Sequence, residues 1–366
     1  MCARPPPEQH DNEVAHGRIR RSPRARRALR VLGAAVAAFL LTAVTACGGG
    51  SSAEDGAAEI IYVTNAPIGQ NQFLALGKTG TEQAAAALGA SARTFESTDE
   101  QSRRANLEAA IARRPLAIVL ITYEFNDLAA ELAEQHPDQQ FVLVDSCPPR
   151  VPENLRCGKF KEYESSYLLG VEAGLLTRTG RIGTVAAKDS PFFHRWSDAF
   201  ALGARSVNPQ VIESQLFVGG ENAVGDPARS KELALTTIHT GADQVYAVTG
   251  GGNGGVFEAA AQSRDVLAYG VDVNQCPQAP GVVVDNAIKR IDKVVLDLLT
   301  QVRQGTPGGT ATEFGLAEDG STVTSLTADA DAGGCVVLRH PEVLQRVREA
   351  RDQIVAGRVT IPHADN

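Results

Sequence analysis

No Cys-x-x-Cys pair occurs in these 366 residues, which removes the usual framework of a zinc or thiol-redox centre. The seven histidines are dispersed, so no metal site is expected and no cofactor is called for. The glycine-rich stretch "TGGGNGGVFEAA" at 249–260 is not followed by Gly-Lys-Ser/Thr and is no Walker A loop. It also lacks the first-strand context of a dinucleotide fingerprint. No serine, cysteine or threonine sits in a nucleophile elbow. An enzymatic reading therefore rests on nothing positive. Aromatics are scarce, at 5%, with a single tryptophan, Trp196. No apolar run reaches bilayer length: Val31–Ala46 falls short of the roughly 20 residues a spanning helix needs.

That run has another meaning. Arg18, Arg20, Arg21, Arg24, Arg26, Arg27 and Arg30 precede it, and basic block, apolar core and small terminal residues together make a secretory signal. Val44-Thr45-Ala46-Cys47 resembles the lipobox of lipoproteins. This implies cleavage after residue 46, a lipid on the Cys47 thiol and a place on the extracytoplasmic face of the cell membrane. An ordinary cleavage site with an incidental cysteine is the alternative. Residues 47–58, rich in glycine and serine, read as a flexible tether. Residues 1–46 hold 8 of the 35 Lys+Arg and 3 of the 43 Asp+Glu, leaving 27 against 40, a formal −13. So acidic a chain argues against nucleic acid or an anionic membrane surface as partner.

Four further cysteines, Cys147, Cys157, Cys276 and Cys335, form an even set in an exported chain and suggest disulfides. Cys147 and Cys157 bracket the proline-rich "PPRVPENLR", which a bridge would staple; Cys276 with Cys335 follows by elimination. The remaining 320 residues suit two α/β domains. Short apolar runs alternate with helical stretches: "EIIYVT", "LAIVLIT", "FVLVD", "RIGTVA", "QVYAVTG", "LAYGVD" and "GVVVDN". Runs of this kind are strands buried on both faces, and the alternation implies parallel sheets. Ser190-Pro191 and Asp226-Pro227 mark helix starts, and Gly241 and Gly305 mark helix ends. The strand series restarts near Thr177–Arg181. This gives a first lobe at 59–178, a second at 179–272, and a crossover segment at 273–366 that contributes to both.

In open α/β sheets ligands bind beyond the carboxyl ends of the strands. Asn65, Asp145, Lys188, Asp189, Gly250, Gly251, Asp272, Asp285 and Asn286 stand at such ends, and Lys289 is expected one turn into the next helix. Asp145 and Asp272 read as acceptors for hydroxyl or N–H donors and Lys289 as a donor. Each has a plainer reading: the acids as N-caps, the lysine as a solvated helix residue. Phe192, Trp196 and Phe200 recur at i, i+4 and i+8, the spacing of a core stripe, although Trp196 could offer a ring face to a planar ligand.

Taken together, "AEQHPDQQFVLVDS", "EYESSYLLGVEAGLLTRTGRIGTVAAKDSP", "RWSDAFALGARSVNP", "TGGGNGGVFEAA", "YGVDVNQ" and "VVVDNAIKRID" resemble, in order and spacing, the basic membrane protein family of PnrA-like nucleoside-binding lipoproteins. The resemblance implies a type I periplasmic-binding-protein fold: two doubly wound parallel-sheet lobes joined by a hinge of three crossings. It implies a monomeric substrate-binding component of an ABC importer, with a permease partner and a nucleoside or similar ribosylated ligand. By position, Asp272 and Lys289 match ribose contacts, and Gly250 and Gly251 the close-approach turn. Asp145 matches the strand-end acid, Phe73 a ring over the base, and Trp196 a second aromatic. The first loop departs from the family: "QNQFL" keeps Phe73 but places Gln70 and Leu74 where the family carries Asp and Asn, with Asn71 and Gln72 as neighbouring substitutes. A sensing lipoprotein without transport, a type I sugar binder and a nucleoside-processing enzyme stay open beside this reading.

Overall fold

A computed structural model describes residues 58–363 other than 70 and 329. Residues 1–46, read above as a signal, Cys47, the segment to residue 57 read as a tether, and Gln70 lie outside the described residues. The first five strands are β1 Glu59–Val63, β2 Ser91–Phe95, β3 Ala117–Ile121, β4 Phe141–Val144 and β5 Leu155–Phe160. The next five are β6 Arg181–Ala186, β7 Ile212–Phe217, β8 Gln244–Val248, β9 Leu267–Asp272 and β10 Val283–Lys289. β11 Thr310–Phe314 and β12 Ser321–Val323 complete the set.

Two six-stranded sheets result. The first runs β11-β5-β4-β3-β1-β2 and is wholly parallel. The second runs β12-β10-β9-β8-β6-β7 and is parallel except where β12 pairs antiparallel with β10. Central strands β3 and β4 are continuously apolar, "AIVLI" and "FVLV", and all their residues are buried. Ile60 and Tyr62 pack into one face of the first sheet and Ile61 and Val63 into the other, all fully buried. The strands absent from the sequence reading include the sheet-edge strands β2, β7 and β11, "SARTF", "IESQLF" and "TATEF", which carry polar side chains because much of their surface meets solvent.

Helices α1 Gln72–Ala87, α2 Glu100–Ala112, α3 Asn126–Gln135, α4 Glu162–Leu176 and α5 Pro191–Val207 come first in the chain. After them come α6 Pro227–His239, α7 Asn253–Gln262, α8 Ile291–Arg303, the short α9 Ala330–Gly333 and α10 Pro341–Val355. Asp226 caps α6 by accepting from the Arg229 amide at 2.9 Å. Ser190 occupies the N-cap of α5, ahead of Pro191, without a side-chain capping bond. Gly241 (φ +101°) and Gly305 (φ +69°) follow α6 and α8 in the left-handed region that suits glycine.

The chain passes between the sheets three times: from β5 to α4, from β10 to α8 and from β11 to β12. The first passage lies at residues 160–162, ahead of the 177–181 restart. α4 packs on α5 and shares the second sheet's core through Leu168, Leu169 and Val171. Its backbone touches that of α5 because Gly170 and Gly203 face it: a Cβ at Gly170 would collide with the Phe200 carbonyl, and one at Gly203 with that of Tyr167. Both disulfides are formed, Cys147–Cys157 and Cys276–Cys335, with Cα separations of 5.4 and 5.0 Å. Among the described residues no helix is long and apolar enough to cross a membrane.

Candidate functional site

A cavity of about 700 Å³ lies where strand ends of the two sheets meet. Asn71, Phe73, Asp145, Trp196, Gly250, Gly251, Asp272 and Lys289, drawn from six separate segments of sequence, all line it. Lys289 is the centre. It is the last residue of β10, at the second crossing, and not a residue of the following helix, which begins at Ile291. β10 runs past Asp285 and Asn286, so neither ends a strand nor lines the cavity. Asp285 accepts the Ser325 amide at 3.1 Å, and Asn286 donates to Thr324 Oγ1 at 3.0 Å, both inside the second lobe. Lys188 and Asp189 also fall outside the lining; Asp189 pairs with His194 at 2.8 Å.

The Lys289 side chain is 4% exposed, and its Nζ lies 2.7 Å from Asp145 Oδ1 and 3.4 Å from Asp272 Oδ1. The same ammonium is 5.0 Å from the Trp196 ring centroid, 5.3 Å from Phe73 and 5.6 Å from each of Phe160 and Phe192. Burial opposes its charge, but the Asp145, Asp272 and Glu162 carboxylates together hold it above the ordinary lysine range. Burial pushes the Asp145 carboxyl up, against the pull of Lys289. Two acids and four ring faces around one cation satisfy it far from bulk water.

Neither acid caps a helix. Asp145 (φ +74°) and Asp272 (φ +68°) turn the chain sharply at the ends of β4 and β9, and Thr122 (φ +90°) does so after β3. A non-glycine residue in this region costs on the order of 1–3 kcal/mol, and such strain gathers at functional clefts. The disulfides close the loops behind both acids, two residues after Asp145 and four after Asp272.

Trp196 is both core and surface. It is 2% exposed yet lines the cavity, with Nε1 buried and without a hydrogen-bond partner. Phe192 shares the cavity wall, whereas Phe200, one turn beyond Trp196 along α5, packs against Tyr246 with centroids 4.8 Å apart and the rings tilted by 33°. The stripe changes role along the helix because α5 starts at the cleft and runs into the core. Asn71 caps α1, its Oδ1 accepting the Phe73 and Leu74 amides at 3.1 and 3.2 Å. Gly250 and Gly251 form a tight turn after β8, with Gly250 at φ +58° and Gly251 N–H donating to Val224 O at 2.9 Å.

Several cavity residues escaped the sequence reading. Asn253 and Gln275 join through Nδ2 and Oε1 at 3.0 Å, and Gln275 Oε1 also accepts the Val271 amide at 3.1 Å, both groups buried. Glu124 accepts from Asn65 Nδ2 at 3.2 Å. Thr122 ends the run "LAIVLIT" and Glu124 comes two residues later, so the strand-end rule applied to that strand would have found them. Behind the cavity, at the first crossing, Arg195 donates to Phe160 O at 2.9 Å and pairs with Glu162 at 3.2 Å, both side chains buried. Burial pushes the Glu162 carboxyl up to about 7, with Arg195 pulling the other way.

Two parallel-sheet lobes, three crossings and a cleft built on strand ends at the crossings define a type I periplasmic binding protein. Among solved structures, an ABC transporter solute-binding protein from Aeropyrum pernix superposes with a TM-score of 0.71 at 20% identity, covering 84% of this chain and 94% of that one. A family model described as ABC transporter substrate-binding protein PnrA-like, Bmp, matches residues 60–332. The chain belongs to that family and is a substrate-binding protein of the ABC transporter class. It is 29% identical over 284 residues to the CD4+ T-cell-stimulating antigen of Listeria monocytogenes, spanning 73% of this chain and 76% of that one. It is 26% identical over 285 residues to the ABC transporter nucleoside-binding protein BmpA of Lactococcus lactis, spanning 73% and 77%.

Proposed function

We propose that this chain is a lipid-anchored, monomeric solute-binding protein that takes a nucleoside between its lobes and presents it to a membrane permease. The observation that carries the reading is the Lys289 cluster. Trp196, Phe73 and Phe192, which line the cavity, would offer flat faces to a base, and Asp145, Asp272 and Lys289 would exchange hydrogen bonds with ribose hydroxyls. Hydrogen bonds to charged groups contribute about 1.5–3 kcal/mol each. The name of the Lactococcus relative supports the ligand class. The name of a Pyrococcus abyssi relative, an uncharacterised lipoprotein, supports Cys47 as the anchor and an extracytoplasmic location. The mechanism is capture by closure of the lobes about their crossings, with no bond made or broken.

The test is a thermal-shift series on the full chain in mild detergent with nucleosides, free bases, ribose and hexoses. A ligand at a hundred times its Kd stabilises by about 2.7 kcal/mol. Nucleosides should shift the melt where free bases and sugars do not. Asp272→Ala should weaken nucleoside binding more than tenfold. A shift with sugars alone would replace the nucleoside reading with a sugar one, and near-wild-type affinity of Asp272→Ala would remove that acid from the site.

A further inference from the structure

The hydrogen-bonding capacity of the cavity is lopsided. Lys289 Nζ donates to Asp145 Oδ1 and pairs with Asp272 Oδ1 at 3.4 Å, Asn65 Nδ2 donates to Glu124 Oε1, and Asn253 Nδ2 donates to Gln275 Oε1. Of the buried lining atoms that lack a hydrogen-bond partner, Asn65 Oδ1, Glu124 Oε2 and Asp272 Oδ1 are acceptors, Thr122 Oγ1 can donate or accept and Trp196 Nε1 donates; Asp272 Oδ1 keeps its ion pair with Lys289 at 3.4 Å. The charged lining residues are three carboxylates, Glu124, Asp145 and Asp272, against one ammonium. A ligand that packs against the Asn65–Glu124 wall must therefore bring donors there, since buried acceptors left unmade are costly.

Two of those acceptors belong to one wall. Asn65 follows β1 and Glu124 follows β3, neighbouring strands of the first sheet. The left-handed turn at Thr122 leads straight into the short helical turn that carries Glu124. The 3.2 Å bond from Asn65 then fixes the carboxylate, leaving Oε2 and a second lone pair on Oε1 for a ligand. The Asp272–Lys289 end lies on the second sheet, and Phe73 and Trp196 line the same cavity. Leu74, also in the wall, brings no polar side-chain atom.

We infer that Glu124, held by Asn65, is the specificity-determining residue for the base, and that the base presents an amino group beside a ring N–H, as a 2-amino-6-oxopurine does. This rests on the nucleoside reading above. Such an edge gives a carboxylate two parallel N–H···O bonds, the fork geometry that makes charge-assisted pairs strong. A 6-oxopurine without the amino group gives one. A 6-aminopurine offers a donor beside an acceptor, and that acceptor would face a carboxylate oxygen.

The experiment is calorimetry on the full chain in detergent with guanosine, inosine and adenosine, for the native sequence and for Glu124→Gln. Guanosine should bind at least tenfold more tightly than inosine and by a wider margin than adenosine. Glu124→Gln should reduce guanosine's advantage at least tenfold while adenosine gains, because an amide matches the donor–acceptor edge of adenine. Asn65→Ala, which frees the carboxylate, should narrow the guanosine–inosine gap in the same direction. Equal binding of guanosine and inosine by the native chain overturns the inference and leaves the nucleoside reading standing. So does a Glu124→Gln variant that weakens all three equally. No binding of any nucleoside overturns both.

Discussion

Replacing Lys289 with methionine tests the electrostatic design of the cleft directly. Methionine keeps the length and apolar stem of the side chain and removes the charge. What remains is two carboxylates, Asp145 and Asp272, whose side chains are 14% and 22% exposed. They would face each other and four rings with no cation between them. Removing one partner of a buried ion pair costs about 3–5 kcal/mol, most of it the penalty of the uncompensated charge left behind. At about 2–4 °C per kcal/mol for a chain of this size, the melting temperature at pH 7 should fall by at least about 6 °C. The loss should shrink with acidification, because without Lys289 nothing opposes the burial that pushes the Asp145 carboxyl up, and it takes up a proton more readily in the folded state than in the unfolded one. Adding Asp145→Asn and Asp272→Asn to Lys289→Met should recover much of the stability, whereas the same two changes alone should not stabilise. Denaturant unfolding of the single and triple variants at pH 7 and pH 4.5 measures this. A loss below about 1 kcal/mol at pH 7, or one unchanged at pH 4.5, would show that water solvates the acids and would refute the caged-cation account.

Other expectations follow from individual groups. Burial holds the Glu162 and Glu213 carboxyls at about 7 against an ordinary 4.5, so the folded chain binds their protons more tightly than the unfolded one. Their contribution is fully present below about 4.5 and is lost as the pH rises through 7. The slope is about 1.4 kcal/mol per pH unit for each group. The melting temperature should rise from pH 8 to pH 5.5, and Glu213→Gln should flatten part of that rise; a flat native profile contradicts the assignment. In the chain-entropy picture Cys147–Cys157, with 10 residues of separation, is worth about 3 kcal/mol, and Cys276–Cys335, with 59, about 4. Alanine pairs should rank in that order by denaturant melts, and the reverse order would point to native-state contacts rather than loop closure. Trp196 is the single tryptophan and faces the cavity, so nucleoside should change its emission. Unaltered fluorescence at saturation would make Trp196 packing alone.

Much of this molecule could be read along the chain. Central strands such as β3 announce themselves because burial on both faces demands an unbroken apolar run, and all five of its residues are buried. The cleft acids could be found because ligands gather at strand ends, and that rule needs only the strand's limit. The same rule misplaced Lys289, Asp285 and Asn286, since "VVVDN" gives no sign that β10 continues for three more residues as "AIK". Edge strands such as β2 were invisible because solvent on their surface permits polar side chains that read as loop. Glu124 was within reach of the strand-end rule, but its pairing became visible only when the fold set Asn65, 59 residues earlier, beside it.

The sequence by itself determined the class: alternating buried strands and helices, an even cysteine set, an acidic chain, and motifs in a family's order. Apolar periodicity, charge and spacing are local quantities, and each can be summed without knowing which segments meet. Only the tertiary structure decided that Lys289 sits between Asp145 and Asp272, 144 and 17 residues away. It alone decided that Phe73, Phe160, Phe192 and Trp196 surround that ammonium, and that the buried lining acceptors Asn65 Oδ1 and Glu124 Oε2 lack hydrogen-bond partners. Those facts depend on the three crossings that bring distant strand ends to one point, where burial makes the state of each charge depend on all the others.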